Sequence, residues 1–164
     1  VSGAVLTARA NLHSEFMRFH RRLLAIVRED AVCRRLMTVP GVGAVVALTV
    51  TSVIDDPARF ASSKAVGPHF GLTPMTYQSG ETDVTGAISK TDDALVRAAL
   101  CEAGQVMLTR TKRFSTLKRW ALEVANRRGV MRAKVALPRK LACGLHRLWV
   151  DGTYLRFGKE TAAA

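Results

Sequence analysis

Acid is what this sequence has least of: 13 Asp and Glu stand against 25 Lys and Arg, a formal charge of +12 at pH 7. A surface so short of carboxylate attracts polyanions, nucleic acid first and an anionic membrane surface second, and each phosphate it neutralises adds a salt-sensitive increment to affinity. Cysteine is scarce too. Cys33, Cys101 and Cys143 are odd in number and lack Cys-x-x-Cys spacing, which excludes a disulfide framework and a zinc site and leaves them as small core residues. His13, His20, His69 and His146 have no metal-like spacing, so no metal ligand is assigned. No apolar run approaches the ~18–20 residues that span a bilayer, and Val1-Ser2-Gly3-Ala4 lacks the basic and apolar parts of a signal peptide. A cytoplasmic protein without a membrane partner is expected.

What the chain does have is apolar material, 48% of 164 residues, enough for one globular domain with a substantial core. From about Ser14 to Met37, Phe16, Phe19, Leu23 and Ile26 recur at steps of three and four, which predicts an amphipathic helix and suits a coiled-coil seam. Asp30 interrupts the stripe; Cys33 and Leu36 resume it. Because this helix opens almost at the first residue, the chain is expected to be part of something longer. Thr38-Val39-Pro40-Gly41-Val42-Gly43 follows, and then Ala44 to Ile54 without any charge. Helix, Gly-x-Gly turn and apolar helix is the pattern of a helix-hairpin-helix. Asp55-Asp56-Pro57 ends the second helix, and a shorter one is predicted over Ala61 to Phe70, ending near Gly71. Residues 72–89, with Pro74, Gly80, Gly86 and many hydroxyls, lack a sustained apolar period and read as a long central loop with room for a short hairpin. Loops of that length in compact domains are usually functional or disordered. After Lys90 the helical period returns through Val96, Leu100, Ala103 and Met107, then through Phe114, Leu117, Ala121 and Val124. Past a Gly129 cap it returns again through Leu141, Leu145, Leu148 and Trp149. The predicted fold class is all-α, a helical domain with a helix-hairpin-helix element and a long central loop.

Positive charge is concentrated. Between Arg97 and Arg147 there are thirteen Lys or Arg and two acids, whereas between Asp55 and Asp93 six acids face only Arg59, Lys64 and Lys90. A net +11 over 51 residues exceeds ordinary surface mixing. The last three helices, with Arg113, Lys118, Arg119, Arg127, Arg128, Arg132 and Lys134, are therefore the candidate polyanion-binding surface, against the alternative of a solvated face. Gly41 and Gly43 offer backbone N–H groups at a helix start, where the dipole favours a phosphate. A turn that simply joins two helices reads equally well.

Gly71-Leu72-Thr73-Pro74, Gln78-Ser79-Gly80, Gly86-Ala87-Ile88-Ser89-Lys90 and Leu95-Val96-Arg97 with Leu100 follow one another in order. Pro40-Gly41-Val42-Gly43 precedes them and Arg139-Lys140-Leu141-Ala142 comes after. From about Leu36 to Phe157 the chain thereby resembles the C-terminal transposase domain of the insertion sequence 110/116/902 family. The resemblance implies a bacterial or archaeal, nucleoid-associated DNA recombinase that moves its own element, with a guide RNA pairing to donor and target DNA. It implies an N-terminal RuvC-like domain whose four acids hold magnesium, then a coiled coil, then a C-terminal domain supplying a catalytic serine. By motif position that serine is Ser79. Residues 1–37 would be the end of the coiled coil or a linker helix, 38–158 the C-terminal domain and 159–164 a frayed tail. No cofactor is assigned to this chain, which without the metal-binding domain is expected to be inactive, and the full-length protein is expected to be a homo-oligomer. Two departures stand out: Thr91-Asp92-Asp93 where the family usually has glycine, and Pro138 where a helix former is usual. Proline inside a helix costs about 3 kcal/mol. Thr91 or Asp92 is then a candidate cap for the next helix.

A serine hydroxyl needs a base or metal, and cations around the transition state, before it attacks a phosphodiester. Ser79 beside Gly80 allows close approach to a DNA backbone; the competing reading is an ordinary turn serine. Lys90 and Arg97 are candidates to hold the scissile phosphate. Against that, Lys90 reads as a surface cap and Arg97 as an ion pair with a nearby aspartate. The expected function is a DNA transposase or recombinase domain with a serine nucleophile. The alternatives are a non-catalytic helix-hairpin-helix nucleic-acid-binding module and a helical RNA-binding module.

Overall fold

The computed structural model describes residues 2–79, 82–91, 93–112 and 114–155, and for residues 76–79 and 82–85 the backbone alone. Among these, seven α-helices and one two-stranded sheet are present, which makes the domain all-α with a single small hairpin. In α1 (Ser2–Glu29) Val27 alone is buried, while Val5, Leu12, Phe16, Phe19 and Ile26 stay exposed. The helix expected over Ser14–Met37 starts earlier than that and divides at Asp30. The Asp30 carboxylate accepts from the N–H groups of Val32 (2.7 Å) and Cys33 (2.9 Å) and so caps α2 (Ala31–Leu36). The residue that interrupts the apolar stripe is a helix start. Beyond it, Cys33 and Leu36 enter the core.

The turn after α2 buries Val39 and Val42 and passes through Gly41 at φ +87°. A Cβ at that glycine would collide with the Ala103 carbonyl oxygen, so only glycine lets the turn lie this close to the helix that carries Ala103. Gly43 then opens α3 (Ala44–Ile54), the uncharged run, which buries Ala44, Val46, Ala47, Val50 and Ile54. Asp56 accepts from the Ala58 N–H at 2.8 Å and starts a 3-10 turn, Pro57–Arg59. The helix expected over Ala61–Phe70 shrinks to a second 3-10 turn (Ser63–Ala65) and α4 (Val66–His69). Gly67 and Pro68, both poor helix formers, account for the shortening.

The stretch read as a long central loop with room for a short hairpin does contain one, and the hairpin takes up most of it. β1 (Pro74–Ser79) pairs antiparallel with β2 (Thr82–Ile88), Pro74 opposite Ile88 and Ser79 opposite Thr82. Thr76, Tyr77, Val84 and Thr85 supply strand propensity, but the segment has no apolar alternation to announce itself. The register shifts by one residue between the pairs at Pro74 and Thr76, which leaves an extra residue in β2 near Gly86. Beyond the strands the pairing continues, with the Ser89 N–H donating to Thr73 (2.9 Å) and the Lys90 N–H donating to Gly71 (3.1 Å).

Asp93, rather than Thr91, caps α5 (Ala94–Thr109) by accepting from the Leu95 N–H at 2.7 Å; Asp92 lies outside the described residues. Ser115 caps α6 (Thr116–Arg128), leaving Phe114, expected within that helix, exposed before it. Gly129 at φ +87° joins α6 to α7 (Val130–Val150). Pro138 does not end α7. It is buried, and together with Leu137 it packs against Gly104 of α5. Leu137, Leu141 and Leu145, four residues apart, form the inner face of α7 and complete the core made with α2, α3 and α5. Among the described residues no helix is long and apolar enough to cross a membrane.

Candidate nucleic-acid interface

The inner face of α7 dictates what its outer face can do. Arg132, Val135, Ala136, Arg139, Lys140 and Cys143 recur at steps of three and four on the side away from Leu137 and Leu141, so they share one exposed stripe. Facing that stripe is the root of the hairpin, Leu72, Pro74 and Gly86–Ile88, with Lys64 from the second 3-10 turn and Trp120 and Arg128 from α6. These elements enclose a cleft of about 950 Å³. Its cations are Lys64, Arg128, Arg132, Arg139 and Lys140, and among the described residues no carboxylate lines it.

Three contacts fix this wall. The Lys140 ammonium sits 4.1 Å from the centroid of the Trp120 ring, a cation–π contact that holds its charge at the cleft. The stem of Arg139 crosses Gly67, where a Cβ would stand 3.0 Å from Arg139 Cγ. The third is buried His146: since the Pro57 carbonyl can only accept, His146 Nε2 donates to it at 3.0 Å, and in the neutral ring Nδ1 accepts from Ser63 Oγ at 2.9 Å. Phe60 meets the same ring edge-on at 5.4 Å. These bonds tie the segment bearing Lys64 onto α7.

Of the expected polyanion-binding residues, Arg128 and Arg132 line the cleft, whereas Arg119, Arg127 and Lys134 lie on α6 and α7 outside it. Arg113 lies outside the described residues. Lys118 is turned to a local task, donating to the Thr111 carbonyl at 2.6 Å across the α5–α6 connection. Arg97 makes no ion pair with an aspartate among the described residues; its guanidinium donates to the carbonyls of Phe70 (3.4 Å) and Thr91 (3.3 Å), bracing the hairpin root. Lys90 is exposed at that root with φ +53°. Gly41 packs against α5, while Gly43 is exposed at the start of α3. Ser79 is the last paired residue of β1, and its side chain is outside the described set. At the strand rise of ~3.4 Å per residue its backbone stands about 17 Å from Pro74 at the cleft.

Sequence reasoning passed over Lys64, Trp120, Arg139 and Lys140 as site residues. The signal for two of them was available: Arg139 and Lys140 lie seven and eight residues beyond Arg132, on its helix face. Lys64 and Trp120 arrive from other elements and carried no such mark.

The thiols divide in the same way. Burial holds the Cys33 thiol above its ordinary pKa, partly offset by the Thr51 hydroxyl at 3.5 Å and reinforced by the Asp30 carboxylate. Burial also raises Cys101, against the pull of Arg97. Cys143, half-buried, lines the cleft. Among the described residues no three of His, Cys, Asp and Glu converge on a metal-sized site.

A sequence model described as the transposase IS116/IS110/IS902 family matches residues 33–121. The transposase for insertion sequence element IS1111A of Coxiella burnetii is 31% identical over 125 residues, covering 76% of this chain and 34% of that protein. The transposase for insertion sequence element IS1328 of Yersinia enterocolitica is 30% identical over 90 residues, covering 55% of this chain and 27% of that protein. The chain thus spans about a third of the length of the curated relatives it matches.

Proposed function

The chain belongs to the IS116/IS110/IS902 transposase family, and from that premise we propose that it is the DNA-gripping, serine-bearing part of a transposase. The observation that carries the reading is one of placement. The hairpin that holds Ser79 is rooted in the wall of a cleft with five cations and no carboxylate among the described residues. DNA phosphates lie along α6 and α7, with Arg119, Arg127 and Lys134 extending the field beyond Arg128 and Arg132. Such contacts position DNA without reading its sequence. The α2–α3 pair serves as a helix-hairpin-helix, with the exposed Gly43 N–H directed at a further phosphate. Lys90 and Arg97 hold the hairpin root in register with the bound strand.

In this reading Ser79 Oγ attacks a DNA phosphorus. The hydroxyl proton passes to a base, a P–Oγ bond forms, and one P–O bond of the DNA chain breaks. The phosphoserine keeps the energy of the broken bond for rejoining. A guide RNA chooses the DNA, the carboxylates and magnesium belong to another part of the protein, and the exposed apolar stripe of α1 pairs with a second copy. Residues 1–164 alone would then bind DNA without cutting it.

The test uses full-length protein, guide RNA, cognate DNA and magnesium, quenched in denaturant and digested for mass spectrometry. A DNA remnant on the peptide containing Ser79 is the expected result. Strand exchange without any such adduct, or an adduct on another residue, would falsify the nucleophile assignment.

A further inference from the structure

A cleft built only to grip phosphates has no use for exposed hydrocarbon. This one has it at the centre of its charge: Met131 is 74% exposed and Val135 44% exposed on α7, flanked by Arg132 and Arg139 and facing Pro74 and Ile88 of the hairpin root. A methionine thioether is flexible and polarisable enough to lie against a flat ring. The cleft volume, about 950 Å³, is that of a ligand site, for which ~300–1,000 Å³ is usual.

Duplex DNA turns its phosphates outward and keeps its base faces stacked, so it would leave Met131 and Val135 without a partner. An unpaired nucleotide offers both halves: a base face for the apolar floor and a phosphate on each side for Arg132 and Arg139. Resting on the DNA-binding reading above, we propose that the cleft takes an unpaired nucleotide of a DNA strand running on toward Ser79. The ~17 Å along β1 corresponds to about five stacked nucleotides at ~3.4 Å each. The cleft therefore anchors the strand a short way from the bond to be broken and holds it out of the duplex there.

The experiment measures binding of the 164-residue chain, by competition at fixed salt, to four polymers of equal length. They are a thymidine oligonucleotide, its abasic counterpart with the same charge, a DNA duplex and a uridine RNA oligomer. The thymidine strand should bind about tenfold more tightly than the abasic one, within the range of stacking a single base. It should also slow alkylation of Cys143 in the cleft. Met131→Gln, an exposed change that leaves charge and helix propensity alone, should bring that ratio to about twofold or less, with abasic binding unaltered. Arg132→Gln should weaken both strands in parallel. Equal affinity for the abasic and thymidine strands, a preference for duplex, or a ratio unmoved by Met131→Gln overturns the proposal while leaving a basic DNA-binding surface standing. A tenfold preference for a uridine RNA oligomer overturns its assignment to DNA. Failure of every polymer to bind overturns the wider reading as well.

Discussion

The hairpin and α7 face each other across one cleft and are built on opposite terms. α7 is anchored: Leu137, Leu141, Ala142 and Leu145 are buried, and they fix the backbone from which the cations of its outer face project. The described attachments of the hairpin are at its root, by the pairs Thr73–Ser89 and Gly71–Lys90 and by the Arg97 guanidinium, with Leu72 and Ile88 reaching the core. One element is held by packing from Ala133 to His146, the other is tied at its root by hydrogen bonds and by Leu72 and Ile88. The comparison separates stability from chemistry, and each region should respond to substitution accordingly.

The largest effect should come from the hairpin. Ser79→Ala in the full-length protein is expected to lower strand transfer by about a thousandfold or more. The unfolding free energy should stay within ~0.5 kcal/mol, because the substitution removes a single hydroxyl oxygen from a hairpin residue. A melting point lowered in step with activity would break the separation. Next is the inner face of α7, where Leu141→Ala should destabilise the fold by about 2–5 kcal/mol in denaturant titration, through lost burial and a cavity. If that substitution proved neutral, α7 would not be the anchor described.

The outer face comes third. Arg128→Gln with Arg132→Gln should weaken DNA binding about tenfold near 0.1 M salt and reduce the slope of log affinity against log salt by about 2, with no loss of stability. An unchanged slope would show that these side chains do not meet phosphates. The smallest effect is at the joint before α7. Gly129 has φ +87° with ψ 153°, a region essentially reserved for glycine, and nothing within 4 Å of a built Cβ, so Gly129→Ala should cost only ~1–2 kcal/mol of backbone strain. Gly41→Ala, with the same φ but with Ala103 backbone in the way, should cost clearly more by the same measurement. Equal costs would mean that the close approach of the α2–α3 turn to α5 carries no weight.

Much of this molecule was open to a reading of the sequence because helices declare themselves locally. The uncharged run Ala44–Ile54, the stripe Val96–Leu100–Ala103–Met107 and the Gly129 joint are set by periodicity and by one residue's conformational range, and they stand where the pattern put them. The excess of cation between Arg97 and Arg147 is likewise a property of composition alone. The hairpin was less legible, since without apolar alternation a polar ladder resembles a loop until its partner strand is known. Asp30 misled in the other direction: the same carboxylate that interrupts an apolar stripe also caps a helix, and only the fold distinguishes the two. The cleft itself was decided by tertiary structure. Lys64, Trp120, Arg128 and Lys140 are brought together from a 3-10 turn and two helices by His146 bridging to Ser63 and Pro57, by Gly67 yielding space to Arg139 and by Lys140 resting on Trp120. Sequence determines which residues can share a helix face, because that depends on 3.6-residue periodicity; which faces meet depends on packing between segments far apart in the chain, and no local pattern encodes it.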